Sequence, residues 1–241
     1  MQIVGVEVGG GSPVFAYTLG HGEDPHQRAW EDGYKIIRPL SATGTIEDLV
    51  VTVQVTPHGR LVNPRGPQRT RTMIRGLNLS EAEPVRRQRV AAYAIVVSDR
   101  GILATEFSDR TAVPGLWSLP GGGIDEGEGP AHTVQREVYE ETGQHAEVKQ
   151  FIDVQTDHWI GLSPTGVIED FHAVRLIYAA NCHWPTDPIV HDAGGTTADS
   201  AWVRPDRWRE LPWATGAKSL LNRHAPNQLR LWRWEQQQRL A

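Results

Sequence analysis

A glycine-rich acidic run followed by a helix signal, residues 121–144, decides more about this chain than any other stretch. The run contains Gly121, Gly122, Gly123, Asp125, Glu126, Gly127, Glu128 and Gly129. Pro130 suits the first position of a helix, because the N–H it lacks would have had no partner there. Residues 131–142 are predicted to form that helix, and Gly143 stands where a left-handed C-terminal cap belongs.

At 3.6 residues per turn, Glu137, Glu140 and Glu141 fall within one arc of about 100°. Ala131, Val134 and Val138 occupy the neighbouring arc and form the core-facing stripe. Three carboxylates therefore crowd the border between a buried stripe and solvent. Like charges at i,i+3 and i,i+4 destabilise a helix, so a cation should offset them. Arg136 points elsewhere on the wheel and can offset them only in part. A hard divalent cation bound by carboxylate oxygens is the natural compensation.

The spacing is that of a known motif. Gly122, five residues, Glu128, seven residues, then Arg136-Glu137-Val138-Tyr139-Glu140-Glu141-Thr142-Gly143 resembles the Nudix box. The last box position, usually aliphatic, is Gln144, a departure that bears on local packing more than on metal binding. Residues 112–120 (AVPGLWSLP) lead into it, and a Trp-x-Leu-Pro-Gly-Gly run is similar to the entry of many such boxes. The resemblance implies an α/β fold, the Nudix α/β/α sandwich, here with an N-terminal β-rich extension. It also implies a hydrolase of nucleoside diphosphates linked to another group, dependent on Mg²⁺ or Mn²⁺.

Composition bounds the rest. With 241 residues, 39% hydrophobic and 22% charged, the chain has the make-up of a globular protein of one large or two small domains. A net charge of −5 offers no global attraction to nucleic acid or to an anionic membrane. The single Cys182 excludes an internal disulfide and a cysteine-based zinc site. No signal-like segment and no run of 18 apolar residues is visible, so a cytoplasmic protein is expected.

Two regions are expected: residues 1–88, a β-rich region with an arginine-rich connector, and residues 89–241, the Nudix domain with a C-terminal helix. In the first, 1–8, 14–19, 33–38 (stopped by Pro39) and 48–56 read as strands. The polar segment 21–31 reads as a solvated loop in preference to a metal cluster of His21, Asp24 and His26. Residues 60–75 hold Arg60, Arg65, Arg69, Arg71 and Arg75 without an acid. They read as an irregular connector, with Arg65 and Arg69 as candidates to reach substrate phosphates. Further on, 89–98, 102–107, 147–155, 171–180 and 200–203 read as strands, and 205–211, 215–224 and 228–240 as helices. Leu229, Trp232, Trp234 and Leu240 do not make one clean stripe on the last of these. The N-terminal strands pack on the hydrolase domain or mediate a homodimer.

Carried onto this sequence, the resemblance makes Glu137 and Glu141 direct metal ligands. Glu140 is a direct or water-mediated ligand, the Gly121 carbonyl a further one, and Glu128 joins from the loop. Arg136 orients a carboxylate by ion pairing. The general base is a box glutamate or a later acid, with Glu169, Asp170, Asp192 and Asp199 as candidates and Glu169 preferred. Trp117 is a candidate to stack on a base. His172 is a candidate for substrate contact, although a hydrogen-bonded core histidine is the better reading of it. Downstream subfamily markers are absent, so the substrate is expected only as a nucleotide-type small molecule. The alternative is a nucleotide-sensing regulatory protein, but every box acid is kept, which favours catalysis. An isopentenyl-diphosphate-type isomerase would need a cysteine ahead of the box, and Cys182 lies after it.

Overall fold

Alternation of β-branched and polar residues over residues 48–56 produces the strand that organises the N-terminal part. In a computed structural model, which describes residues 1–59, 71–72, 83–163, 165–192 and 194–240, this strand buries Val51, Val53 and Val55 on one face. The elements in chain order are β1 (Gln2–Glu7), β2 (Phe15–Thr18), α1 (Pro25–Glu31), β3 (Tyr34–Thr43), β4 (Val50–Pro57) and β5 (Arg71–Thr72). They continue with β6 (Val85–Ser98), β7 (Gly101–Phe107), β8 (Trp117–Ser118), β9 (Gly121–Gly123), α2 (Pro130–Thr142) and β10 (Glu147–Leu162). The last are β11 (Ile168–Asn181), β12 (Thr197–Val203), a 3₁₀ turn at Trp208–Glu210, and α3 (Thr215–Leu240). The class is mixed α/β, as expected, with sheet predominating.

The chain divides into two compact units. The first comprises Met1–Ala91, Gly123–Pro130 and Phe151–Leu176; the second comprises Ala92–Gly122, Ala131–Gln150 and Ile177–Ala241.

In the first unit, β1 to β4 form a four-stranded sheet in the order β2-β1-β4-β3. The β1–β4 pair is parallel, from Gln2 opposite Val50 to Glu7 opposite Val55. A parallel neighbour needs a crossover, and the excursion through β2, α1 and β3 supplies it. Contrary to expectation, Pro39 does not stop β3. It sits opposite Val53 within the strand, flanked by register shifts at Ile36/Arg38 and Pro39/Ser41. Because β3 is an edge strand, proline's missing N–H costs no ladder bond. The expected loop at 21–31 is likewise corrected over its second part, residues 25–31, which form a helix. Pro25 occupies the first turn of α1, and Asp24 caps it, its Oδ1 accepting the His26 N–H at 2.7 Å. The same unit contains the N-terminal part of β6 and the paired portions of β11 and β10, with β5 parallel to β10 at Trp159–Arg71.

In the second unit the strand order is β12-β7-β6-β11-β10. Ala92, Ala94, Ile95, Val96 and Val97 are all buried, the near-continuous apolar run of a strand covered on both faces. Helix α2 buries Val134 and Val138, the stripe read from its sequence. Gly143 caps it at φ +67°, its N–H reaching the Tyr139 carbonyl at 2.8 Å.

Toward the C-terminus three expectations change. Residues 205–211 contribute only the 3₁₀ turn, around the buried Trp208. The two predicted helices are one, running through Pro226. Leu221, Ala225, Leu229 and Trp232, spaced at four, four and three residues, are all buried and keep both halves of α3 on one stripe. Trp234, by contrast, is exposed. Strand β10 also runs on from residue 155 to Leu162, and β11 begins at Ile168, ahead of residue 171, both through half-buried polar residues that carry no strand signal alone.

Candidate metal and catalytic site

The acidic face of α2 lies in the second unit, where backbone geometry is fitted tightly around it. Gly122 is packed so closely on Glu137 that a Cβ there would lie 2.3 Å from Glu137 Oε1. Gly121 adopts φ +142°, and a Cβ on it would lie 2.3 Å from the Ala92 carbonyl oxygen. Gly121 can only be glycine, and a side chain at Gly122 would displace the Glu137 carboxylate, which is the local reason for a glycine run beside a glutamate helix.

Glu141 is the most constrained of the three carboxylates, at 7% exposed. Its Oε2 accepts the Gly121 N–H at 2.9 Å, and its Oε1 accepts from Thr197 Oγ1 at 2.5 Å. Burial pushes its carboxyl up from the ordinary 4.5 to about 7. The two hydrogen bonds pull the other way, and the charges of Glu137 and Asp192 add to the rise.

Arg136 Nη1 lies 3.1 Å from Glu137 Oε1 and 2.9 Å from Glu140 Oε2, so one guanidinium bridges two carboxylates. The length and flexibility of arginine let it reach across a face that its Cα does not share. The backbone carbonyl of Glu140 receives the N–H groups of His191 (2.8 Å) and Asp192 (3.1 Å), which satisfies the end of the helix.

The donor chemistry fits a divalent cation of the hard, oxygen-binding kind: three carboxylates on one helix, one of them buried beside the charge of Glu137. An ion there would remove the penalty that raises Glu141.

The atypical Gln144 is buried and forms a polar knot. Its Nε2 donates to the Thr142 carbonyl (3.2 Å) and to Thr186 Oγ1 (2.9 Å), and its Oε1 accepts the Thr186 N–H (3.0 Å). The lost aliphatic packing is thereby replaced by hydrogen bonds that tie the segment after β11 to the end of α2.

The remaining candidates are distributed as follows. Trp117, half-buried on β8 in the second unit, has its backbone pinned by Pro212 and Ala214. Glu128 belongs to the first unit and is buried, its Oε2 accepting the Asp125 N–H at 3.4 Å. In the same loop the Gly127 N–H donates to Glu47 Oε1 at 3.0 Å, a tie to the N-terminal region that no sequence signal announced. Glu169 and Asp170 lie inside β11 and not ahead of it. Glu169 Oε1 is 3.3 Å from Arg87 Nε. Asp170 meets His158 and His21 at 2.5 and 3.2 Å. His172 is fully buried in the core, and its ring lies against the Glu23 backbone. Burial first, and then His21 and His158 beside it, push its pKa down to about 4. Arg65 and Arg69 lie outside the described residues.

Among the described residues no helix is long and apolar enough to cross a membrane. The Nudix domain model matches residues 87–224, more than half of the chain. A nucleoside triphosphatase, NudI, from Salmonella arizonae is 28% identical over 128 residues, covering 51% of this chain and 86% of the relative. An RNA pyrophosphohydrolase from Mesorhizobium japonicum is 40% identical over 68 residues, 26% of this chain and 38% of the relative. Nudix hydrolase 26, chloroplastic, of Arabidopsis thaliana is 45% identical over 53 residues, and the chain spans only 23% of its length. Among solved structures, a MutT Nudix hydrolase from Burkholderia pseudomallei is 25% identical with a TM-score of 0.44, covering 56% of this chain and 97% of that one. The domain match, together with the box carried on β9 and α2, leads to one conclusion: the chain belongs to the Nudix hydrolase family.

Proposed function

We propose that this protein hydrolyses a phosphoanhydride bond in a nucleoside diphosphate linked to another group, with Mg²⁺ or Mn²⁺ held by the carboxylates of α2. The observation that carries the reading is Glu141, a buried carboxylate raised by burial and by the neighbouring charges of Glu137 and Asp192, which a bound cation would offset. Glu137, Glu140 and Glu141 are the proposed ligands, with the Gly121 carbonyl and Glu128 completing the set. The bound ion would neutralise phosphate oxygens and lower the pKa of an attacking water.

The chain's own groups do the rest. Arg136 holds Glu137 and Glu140 in one orientation. The Gly121 N–H and Thr197 hydroxyl fix both oxygens of Glu141, so the carboxylate is positioned before substrate arrives. Glu169 remains the proposed base, with Asp192, near enough to raise Glu141, as the competing acid. Trp117, with Arg65 and Arg69 of the connector, is the proposed substrate contact. The names of the Salmonella and Mesorhizobium relatives agree with phosphoanhydride cleavage and differ in what is cleaved. A cytoplasmic setting and a homodimer formed through the N-terminal strands complete the reading.

The test is a panel of nucleoside triphosphates, dinucleotides, nucleotide sugars and 5′-triphosphorylated RNA with Mg²⁺ or Mn²⁺. Metal-dependent release of phosphate, pyrophosphate or a nucleoside monophosphate, reduced about 100-fold or more in Glu141→Gln, is expected. Nucleotide binding without turnover on the whole panel would replace the enzyme with a nucleotide sensor.

A further inference from the structure

A second set of metal-binding side chains lies entirely within the first unit and shares no residue with the α2 carboxylates. His21 comes from the loop between β2 and α1, His158 from β10 and Asp170 from β11. Their ligand atoms all lie within 4.8 Å of one another. Nε2 of His158 and Nε2 of His21 converge on the same oxygen, Asp170 Oδ1, at 2.5 and 3.2 Å. The three side chains are 13–21% exposed, buried enough to be held and open enough to admit an ion.

The surroundings are those of a built site. The other oxygen of Asp170 lies 3.9 Å from Nε of the exposed Arg86. The loop bearing His21 is closed by the Gly20 N–H on Glu23 Oε2 at 2.7 Å. It passes so near β10 that a Cβ on Gly22, at φ +76°, would lie 2.8 Å from His158 Cε1. Behind the cluster is His172, fully buried, with ring centroids 5.7 Å from His21 and 6.0 Å from His158. Among the described residues no side chain hydrogen-bonds its ring, which lies against the Glu23 backbone. Imidazole nitrogens are the donors that a borderline-soft cation takes.

We propose that His21, His158 and Asp170 bind a transition-metal dication of the zinc class, against the buried ring of His172. Tetrahedral zinc with ligands at 2.0–2.1 Å places them about 3.3 Å apart, close to the His21–Asp170 separation of 3.2 Å, while His158, hydrogen-bonded to Asp170 at 2.5 Å, would draw back to ligate. Two imidazoles and one carboxylate select Zn²⁺, Co²⁺ or Fe²⁺ over Mg²⁺, whose preference is for oxygen alone. The ion would fasten the N-terminal loop to β10 and β11, joining residues far apart in sequence.

The full chain, stripped with a chelator and returned to buffer containing excess Mg²⁺, is titrated with Co²⁺ and Zn²⁺. One equivalent of Co²⁺ should give the visible bands of a low-symmetry, nitrogen-ligated ion, and one equivalent of Zn²⁺ should abolish them. His21→Ala, on a partly exposed loop, should weaken Zn²⁺ binding 10–100-fold or more, as should Asp170→Asn; Glu141→Gln should leave it unchanged. Unaltered circular dichroism and thermal unfolding of metal-free His21→Ala would show that the loss is local. Wild-type-like binding in His21→Ala, or loss of the bands in Glu141→Gln instead, would overturn the proposal.

Discussion

Replacing Glu141 with Gln should make the metal-free protein more stable at pH 8 while removing its activity. In the folded chain the Glu141 carboxyl ionises at about 7, against 4.5 ordinarily. The sign follows from which state holds the proton. Below pH 4.5 the group is protonated in both states and costs nothing. Between 4.5 and 7 the unfolded chain ionises first, so folding stability falls with rising pH, and above 7 the loss is complete. At about 1.4 kcal/mol per pH unit, that interval corresponds to about 3 kcal/mol. Glutamine keeps the shape and removes the charge. Its carbonyl can accept the Gly121 N–H, and its amide can donate to Thr197 Oγ1, because a hydroxyl accepts as readily as it donates. Urea unfolding of chelated wild type and variant should therefore agree within about 1 kcal/mol at pH 5. At pH 8 they should separate by about 3 kcal/mol in favour of the variant, a melting-temperature gain of roughly 6–12 °C for a chain of this size. Mg²⁺ should stabilise wild type and leave the variant nearly unmoved. Equal stability at pH 8, or a less stable variant, would refute the claim that burial opposes this charge. Retained metal-dependent hydrolysis in the variant would refute its role as a ligand.

The two adjacent glycines of β9 should respond differently to alanine. Gly122→Ala collides with the mobile end of Glu137, so melting temperature should change little while hydrolysis falls; equal loss of both would contradict this. Gly121→Ala collides with the Ala92 backbone from a left-handed conformation, so thermal unfolding should show clear destabilisation. Gln144→Leu, the more usual residue type at that place, should destabilise the chain by about 1 kcal/mol in urea, because the buried Gln144 side chain's hydrogen bonds to Thr142 and Thr186 are lost. A gain in stability would show that the polar knot contributes nothing.

Short-range physics made much of this chain legible in advance. Period-two alternation marked β4, the Pro130-to-Gly143 punctuation marked α2, and the spacing of glycines and glutamates marked the family. Each of these signals is carried by residues within about twenty positions of one another. Where long-range packing overrode local preference, the reading failed. Pro39 is admitted because β3 is an edge, and Pro226 is carried because buried residues on both sides of it share one stripe. Polar residues join β10 and β11 because each strand supplies the other's hydrogen bonds.

The amino-acid order alone determined that a glutamate-bearing helix follows a glycine turn, since both depend on backbone preferences and neighbour spacing. Only the tertiary structure decided which carboxylate is buried and therefore raised, and that Gln144 would find polar partners. It also decided that His21 would meet His158 and Asp170. Burial and convergence depend on residues brought together from distant parts of the chain, and no local pattern encodes that encounter.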